Sequence, residues 1–282
     1  MKFARTTLNC RGKLVDLSSP VVMGILNVTP DSFYDGGRWG RVEDALHQAA
    51  TMLEEGATFI DVGGMSTRPG AQAIPEAEEM RRVIPLIERL RQEFPEAILS
   101  VDTWRASVAA QACEAGASLV NDISGGGFDP GLWPLLARLQ VPYVLMHISG
   151  EPESMQTAPS YPQGPVLEVL DYFIQKVGVL REMGLRDILV DPGFGFGKQL
   201  SDNYQLLSHL DVFKILELPI LVGISRKSMV YKLLDTTPEH ALTGTAALHF
   251  AALDRGAQVL RAHDVRAAVE VVRLWKYMHE IA

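Results

Sequence analysis

The sequence predicts an α/β chain, a (β/α)8 TIM barrel with an N-terminal β-hairpin capping the bottom of the barrel. Three observations carry that expectation. Eight short apolar runs alternate with segments of helical periodicity. One αβ junction is written four times, and each of the eight runs ends on polar residues. An open, doubly wound sheet is the competing architecture for the same alternation.

The repeated junction reads "LEEGATFIDVGG", "ACEAGASLVNDIS", "REMGLRDILVDPG" and "LDRGAQVLRAHD". Each copy closes a helical pattern at Gly56, Gly116, Gly184 or Gly256, where glycine suits the left-handed position after a helix. Strands are expected at about Val21–Val28, Thr58–Val62, Ala97–Asp102, Leu119–Asp122, Val141–His147, Ile188–Asp191, Pro219–Gly223 and Gln258–Arg261. They are apolar runs without alternation, as in a sheet covered on both faces. Between the first two, Val42, Ala45, Leu46, Ala49, Ala50 and Leu53 recur at helical spacing. Further helices are expected over about Glu76–Phe94, Arg105–Ala115, Gly131–Leu139, Pro165–Met183, Asn203–Leu216, Glu239–Asp254 and Val265–Met278. Residues 1–17 stand apart, with a turn at Arg11-Gly12-Lys13 between apolar positions, and form the hairpin. No linker is visible, so residues 1–282 read as a single domain.

Composition narrows the function. The chain is 47% hydrophobic with a net charge of −8, which supports a large core and disfavours a nucleic-acid partner. Cys10 and Cys113 are far apart and lack metal-ligand spacing, so unpaired thiols in a reducing cytoplasm are expected. The N-terminus has no apolar signal-peptide core, and no run of 18 apolar residues suggests a membrane span.

In barrels of this class the chemistry sits at the carboxyl ends of the strands. Here those ends carry Asn27, Asp61, Asp102, Asn121-Asp122, His147, Asp191, Arg226-Lys227, and Arg261 with His263. Any single Asp in such a place commonly caps the following helix, and Asp61 and Asp122 are read that way. The whole set mixes carboxylates, amides and cations, which suits a heterocycle with donors and acceptors on its edge and an anionic tail. "DPGFGFGK" fits neither phosphate-loop pattern: Gly193 and Gly197 are too close for a P-loop, and Gln199 replaces its hydroxyl. Lys198 is expected to be solvated. The seven histidines show no paired zinc spacing. A magnesium ion carried by a phosphate group needs few protein oxygens, which Asn27 or Asp31 can supply. "NVTPDSFYDGGRWG" and "GGMSTRPGAQ" are long, glycine-rich loops on the same face, of the kind that serve as lids.

In order along the chain, "GILNVTPDSF", "DVGGMSTRPGA", "SVDT", "NDIS", "LMHISGEPESMQ", "DPGFGFGK", "GISRKS" and "RAHDV" resemble the signatures of the dihydropteroate synthases. The resemblance covers nearly the whole chain after the hairpin. It departs at Met65, commonly acidic in the family, and at the run Gly125–Gly127.

The resemblance implies a barrel enzyme, commonly a homodimer, that joins 6-hydroxymethyl-7,8-dihydropterin pyrophosphate to p-aminobenzoate with Mg2+ and releases pyrophosphate. It implies that Asp102, Asn121 and Asp191 read the pterin edge. Lys227 and Arg261 would contact its acceptors and its face, with Ile123, Met146 and Gly223 completing the pocket. Asn27, Arg68, Arg261 and His263 would hold the pyrophosphate, with Asn27 and Asp31 toward the metal. Phe33, Thr67, Arg68, Pro69, Phe196, Lys227 and Ser228 would surround p-aminobenzoate. The catalytic set would be Asn27, Arg68, Asp102, Asp191, Lys227, Arg261 and His263. Ser225 and Ser228 lack the partners of a nucleophile. A pterin-binding methyltransferase barrel is the nearest alternative, because it shares the Asp/Asn/Asp edge readers.

Overall fold

The computed structural model of the chain describes residues 7–28, 38–65, 74–150 and 160–281. It opens with an antiparallel hairpin, β1 (Thr7–Cys10) and β2 (Lys13–Asp16). Arg11 and Gly12 both have positive φ (55° and 87°), the backbone of a tight primed turn that follows strand twist. The Asn9 amide oxygen closes the turn by accepting from the Gly12 N–H at 2.7 Å.

Eight parallel strands follow: β3 (Val21–Asn27), β4 (Phe59–Gly63), β5 (Ile98–Asp102), β6 (Leu119–Asp122), β7 (Tyr143–Met146), β8 (Ile188–Asp191), β9 (Leu221–Val222) and β10 (Val259–Ala262). Each pairs with its neighbour in sequence from β3 to β8, and β10 lies between β9 and β3. A parallel bridge between Val190 and Ile220 joins β8 to β9 and completes the ring. The helices lie outside: α1 (Arg38–Glu54), α2 (Glu76–Glu93), α3 (Ala106–Ala115), α4 (Leu132–Leu139), α5 (Pro165–Glu182), α6 (Leu200–Ser208), α7 (Ser228–Tyr231), α8 (Leu242–Asp254) and α9 (Val265–Glu280). The four junction glycines all take positive φ, between 86° and 135°, as the sequence requires.

Two elements differ from expectation. The segment over Asn203–Leu216 is not one helix: α6 stops at Ser208 and a 3-10 helix occupies Leu210–Leu216. Leu210, Phe213 and Leu216 are buried at every third residue, which is the 3-10 period. The helix expected from Glu239 starts at Leu242, because Pro238–His240 forms a separate 3-10 turn and Ala241 leaves helical geometry.

The strand pleat divides the core into two layers. Outward-facing residues such as Val22, Ile60, Leu99 and Val120 pack against the helices. Inward-facing Met23, Phe59, Ile98, Leu119, Val144, Leu189, Leu221 and Val259 form one cluster on the barrel axis. The hairpin's Leu8, Cys10, Val15 and Leu17 belong to that same cluster, so the hairpin plugs the barrel at its amino-terminal end. Its backbone is tied there, with Gln258 Nε2 donating to Leu17 O at 2.9 Å. No helix among the described residues is long and apolar enough to cross a membrane.

Leu17 is fully buried in this plug. Leu17→Ala should therefore destabilise the protein by about 2–4 kcal/mol, measured by urea unfolding, while leaving ligand affinity at the opposite rim unchanged.

Candidate active site

One pleat repeat above the inner apolar layer, the side chains change character. Leu119 is followed on the inner face by Asn121, Val144 by Met146, Leu189 by Asp191, Leu221 by Gly223 and Val259 by Arg261. In β4 and β5 the same step reaches Asp61 and Ser100, and a second step reaches Gly63 and Asp102. Register then aligns them. Asn27 lies opposite Gly63, Gly63 opposite Asp102, Asp102 opposite Asn121, and Met146 opposite Asp191. Residues far apart in the chain thus share one carboxyl-end rim.

Arg261 is the centre of this rim. Its Nε donates to Asp61 Oδ2 and its Nη2 to Asp102 Oδ2, both at 2.7 Å. Asp61, fully buried, also accepts from Ser100 Oγ at 2.5 Å and Asn121 Nδ2 at 2.9 Å. It does not cap a helix, as its place in the sequence suggests; it fixes the plane of the guanidinium and the direction of the Asn121 amide. Asp122 does not cap a helix either. It accepts from the Ser124 and Gly126 N–H groups and from the Tyr143 hydroxyl, which sets the turn after β6. Burial raises the Asp102 carboxyl to about 7, against the opposing pull of Arg261.

Asp191 points into the same space. Burial raises its pKa, and Lys227 acts in the other direction. A Cβ placed on Gly223 would lie 3.8 Å from Lys227 Nζ and 3.9 Å from both Asp191 Oδ2 and Arg261 Cβ. Gly223 therefore leaves a floor open between an acid and two cations. Burial lowers Lys227 to about 8, with Asp191 opposing. Its ammonium donates to Phe194 O at 2.6 Å and lies 4.5 Å from the centre of the Phe196 ring. Ile123, Met146 and Phe196 form an adjoining apolar cluster with Trp104 and Ile148 packed on it.

Lys198 is not solvated. It is buried, because the loop after β8 wraps around its side chain. Its Nζ lies 2.9 Å from His147 Nδ1 and Gly193 O, 3.0 Å from Phe196 O and 3.3 Å from His147 O. Burial lowers it to about 7, opposed by Asp191.

At the outer edge His263 is exposed, and its N–H donates to Ser225 Oγ at 3.2 Å. Arg226 grips Asp264 through two hydrogen bonds of 2.8 and 2.6 Å. That clamp joins the turn bearing Lys227 and Ser228 to the turn bearing His263. The expected contributions of Asp31, Phe33, Thr67, Arg68 and Pro69 lie outside the described residues.

Comparisons with known proteins identify the family. The family of pterin binding enzymes matches residues 23–263. The dihydropteroate synthase of Escherichia coli K12 is 45% identical over 269 residues, which are 95% of this chain and 94% of that protein. The chain belongs to the dihydropteroate synthases. Solved structures agree. The Yersinia pestis dihydropteroate synthase in a sulfonamide drug complex superposes with a TM-score of 0.91 at 44% identity, covering 98% of this chain and 100% of that one. The Xanthomonas albilineans dihydropteroate synthase with 4-aminobenzoic acid gives a TM-score of 0.91 at 42% identity, over 97% and 98% of the two chains.

Membership makes this chain a transferase of the folate pathway. Sequence reasoning missed Ser100, the structural use of Asp61, and the pairing of Lys198 with His147. The inward positions of Ser100 and Asp61 were legible from the step of the strand pleat, but their partners were not. Lys198 left no such signal.

If Asp61 orients Arg261, Asp61→Ala leaves a largely buried guanidinium with one partner in place of two. Chemical denaturation should then show a loss of about 3 kcal/mol or more.

Proposed function

We propose that this rim condenses 6-hydroxymethyl-7,8-dihydropterin pyrophosphate with p-aminobenzoate, and that its described residues divide the work by chemistry. The observation that carries the reading is the meeting of Asp102, Asn121 and Asp191 with Lys227 and Arg261 around the space above Gly223. A pterin edge alternates N–H donors with acceptors. Asp102 and Asp191 accept from it, and the Asn121 amide both donates and accepts. Lys227 donates to the ring's acceptors. The guanidinium of Arg261, fixed in plane by two carboxylates, covers the ring face. Ile123 and Met146 are the apolar walls.

The pyrophosphate lies at the mouth, held by Asn27, Arg68, Arg261 and His263. The C–O bond breaks with its electron pair leaving on the pyrophosphate, and the electron-rich ring stabilises the carbon left behind. The p-aminobenzoate nitrogen then forms the new C–N bond and gives up a proton. Cations at the mouth stabilise the departing charge, the type of help worth about 3–4 kcal/mol per contact. Ser225 is buried, and its oxygen lies 3.2 Å from both the backbone N–H and the Nδ1 of His263, a histidine contact that the sequence spacing does not predict. Phe33, Thr67, Arg68, Pro69, Phe196, Lys227 and Ser228 surround p-aminobenzoate.

Mg2+ fits this arrangement. A Cβ on Gly63 would stand 2.9 Å from Asn27 Oδ1 and 3.7 Å from Asp102 Oδ2, so a neutral oxygen lies beside a carboxylate at the mouth. Among the described residues no group of three or more acidic, His or Cys side chains could hold a metal alone. The ion would be carried by the pyrophosphate, with Asn27 and Asp31 as its protein oxygens. When bound, Mg2+ neutralises charge on the leaving group.

The chain acts as one pterin-binding unit, with the hairpin of Thr7–Asp16 as its plug. The two buried, unpaired cysteines support a cytoplasmic setting. A homodimer is supported by the apolar side chains left exposed on and beside α7, α8 and α9, including Leu233, Leu234, Leu274, Tyr277 and Met278.

Sustained pyrophosphate release over many turnovers should require both substrates, and multiple turnover without p-aminobenzoate would refute the reading. Asp191→Asn should cripple pterin affinity by calorimetry while leaving the unfolding midpoint near wild type. Asp102 must be ionised to accept two N–H bonds, and its folded pKa is raised to about 7. Pterin affinity should therefore weaken as pH falls below about 7, by up to about tenfold per unit, and Asp102→Asn should flatten that dependence.

A further inference from the structure

In the loop after β8, Lys198 is a charged residue that the reaction does not use. Gly193, Gly195 and Gly197 take positive φ at 69°, 82° and 63°, so every second residue lies in left-handed backbone. A Cβ on Gly193 would collide with His147 O, and one on Gly197 with Ser149 O. The loop is thus pressed against the chain that follows β7, with carbonyls turned inward. Lys198 fills the space they enclose. Its ammonium has three N–H donors and meets four acceptors: His147 Nδ1, His147 O, Gly193 O and Phe196 O. In its protonated form Lys198 has no lone pair, so there His147 Nδ1 is the acceptor and the ring proton sits on Nε2. Burial first, then Lys198, lowers the His147 pKa to about 2, so this neutral form persists. The imidazole is itself braced, packed edge-on against Tyr172 at 4.8 Å, while Tyr161 donates to Gly197 O at 2.8 Å.

We infer that Lys198 is a positioning residue, which through its carbonyl cage and His147 holds Phe196 as the wall of the p-aminobenzoate pocket. This rests on the assignment of Phe196 made above. Asp191 depends on Lys198 much less. It belongs to the β8 ladder opposite Met146, its carboxylate is held by Gly193 N–H at 2.8 Å, and its principal cation is Lys227. Phe196 has only the loop to hold its backbone, and its carbonyl is one of the cage acceptors. Removing the ammonium leaves buried acceptors without a donor, and the segment carrying Phe196 must rearrange to satisfy them.

The test separates the two substrates. Lys198→Met keeps the length of the side chain and removes the charge and donors. It should raise the KM for p-aminobenzoate about tenfold or more, and leave the calorimetric Kd for pterin pyrophosphate within about threefold of wild type. An unchanged KM, or a parallel rise in KM and Kd, overturns the inference. If Lys198→Met does not fold, His147 decides. His147→Leu should raise the KM, and His147→Asn, whose amide oxygen can accept in place of Nδ1, should restore it; equal KM values in the two overturn the inference. Phe196→Ala distinguishes this from failure of the underlying assignment. If that variant turns over with wild-type KM, the pocket assignment falls and the inference with it. If its KM rises while that of Lys198→Met does not, only the inference falls.

Discussion

A buried guanidinium between two carboxylates organises the top of this barrel. Arg261 on β10 reaches Asp61, 200 residues earlier in the chain, and Asp102, 159 residues earlier. Charges removed from water are tolerated only when paired and hydrogen-bonded, so none of the three can turn without exposing the others' deficit. Ser100 and Asn121 satisfy what remains of Asp61. One network therefore sets the guanidinium plane, the Asn121 amide and the Asp102 carboxylate together. The rim is thus a surface already in place, with little ordering left to be done.

The two ends of the barrel solve opposite problems. At the amino-terminal end, apolar side chains from the hairpin and all eight strands make one cluster, which serves stability. At the carboxyl end the inner face changes to polar side chains within one pleat repeat. The change is abrupt because successive inward residues on a strand are only about 7 Å apart. An apolar layer directly beneath the charges fixes the strands from which the rim residues project.

The glycine-rich loop after β8 looks like a phosphate cradle and is built for the reverse task. A phosphate loop turns N–H groups toward an anion. Here the carbonyls of His147, Gly193 and Phe196 turn toward an internal cation, Lys198. The N–H groups of the loop find internal acceptors, Gly193 on Asp191 and Gly195 on Asn203. The polar backbone of a tightly folded segment is thereby satisfied by side chains, which leaves Asp191 and Phe196 facing the cleft.

Local pattern determined much of this protein. Strand and helix positions, the junction glycines, the turn of the hairpin and the carboxyl-end location of the site are consequences of short-range periodicity and backbone sterics, so the sequence carries them openly. Asp102, Asn121, Asp191, Lys227 and Arg261 were legible as polar ends of apolar strands. Two features were decided only by tertiary structure. Asp61 reads as a helix cap until closure of the ring brings Arg261 beside it, and Lys198 reads as a solvated lysine until the β8 loop closes around it. The division has a physical cause. A period of two or 3.6 residues is a property of neighbours in the chain, whereas a buried charge is defined by partners that only the closed barrel brings within hydrogen-bonding distance.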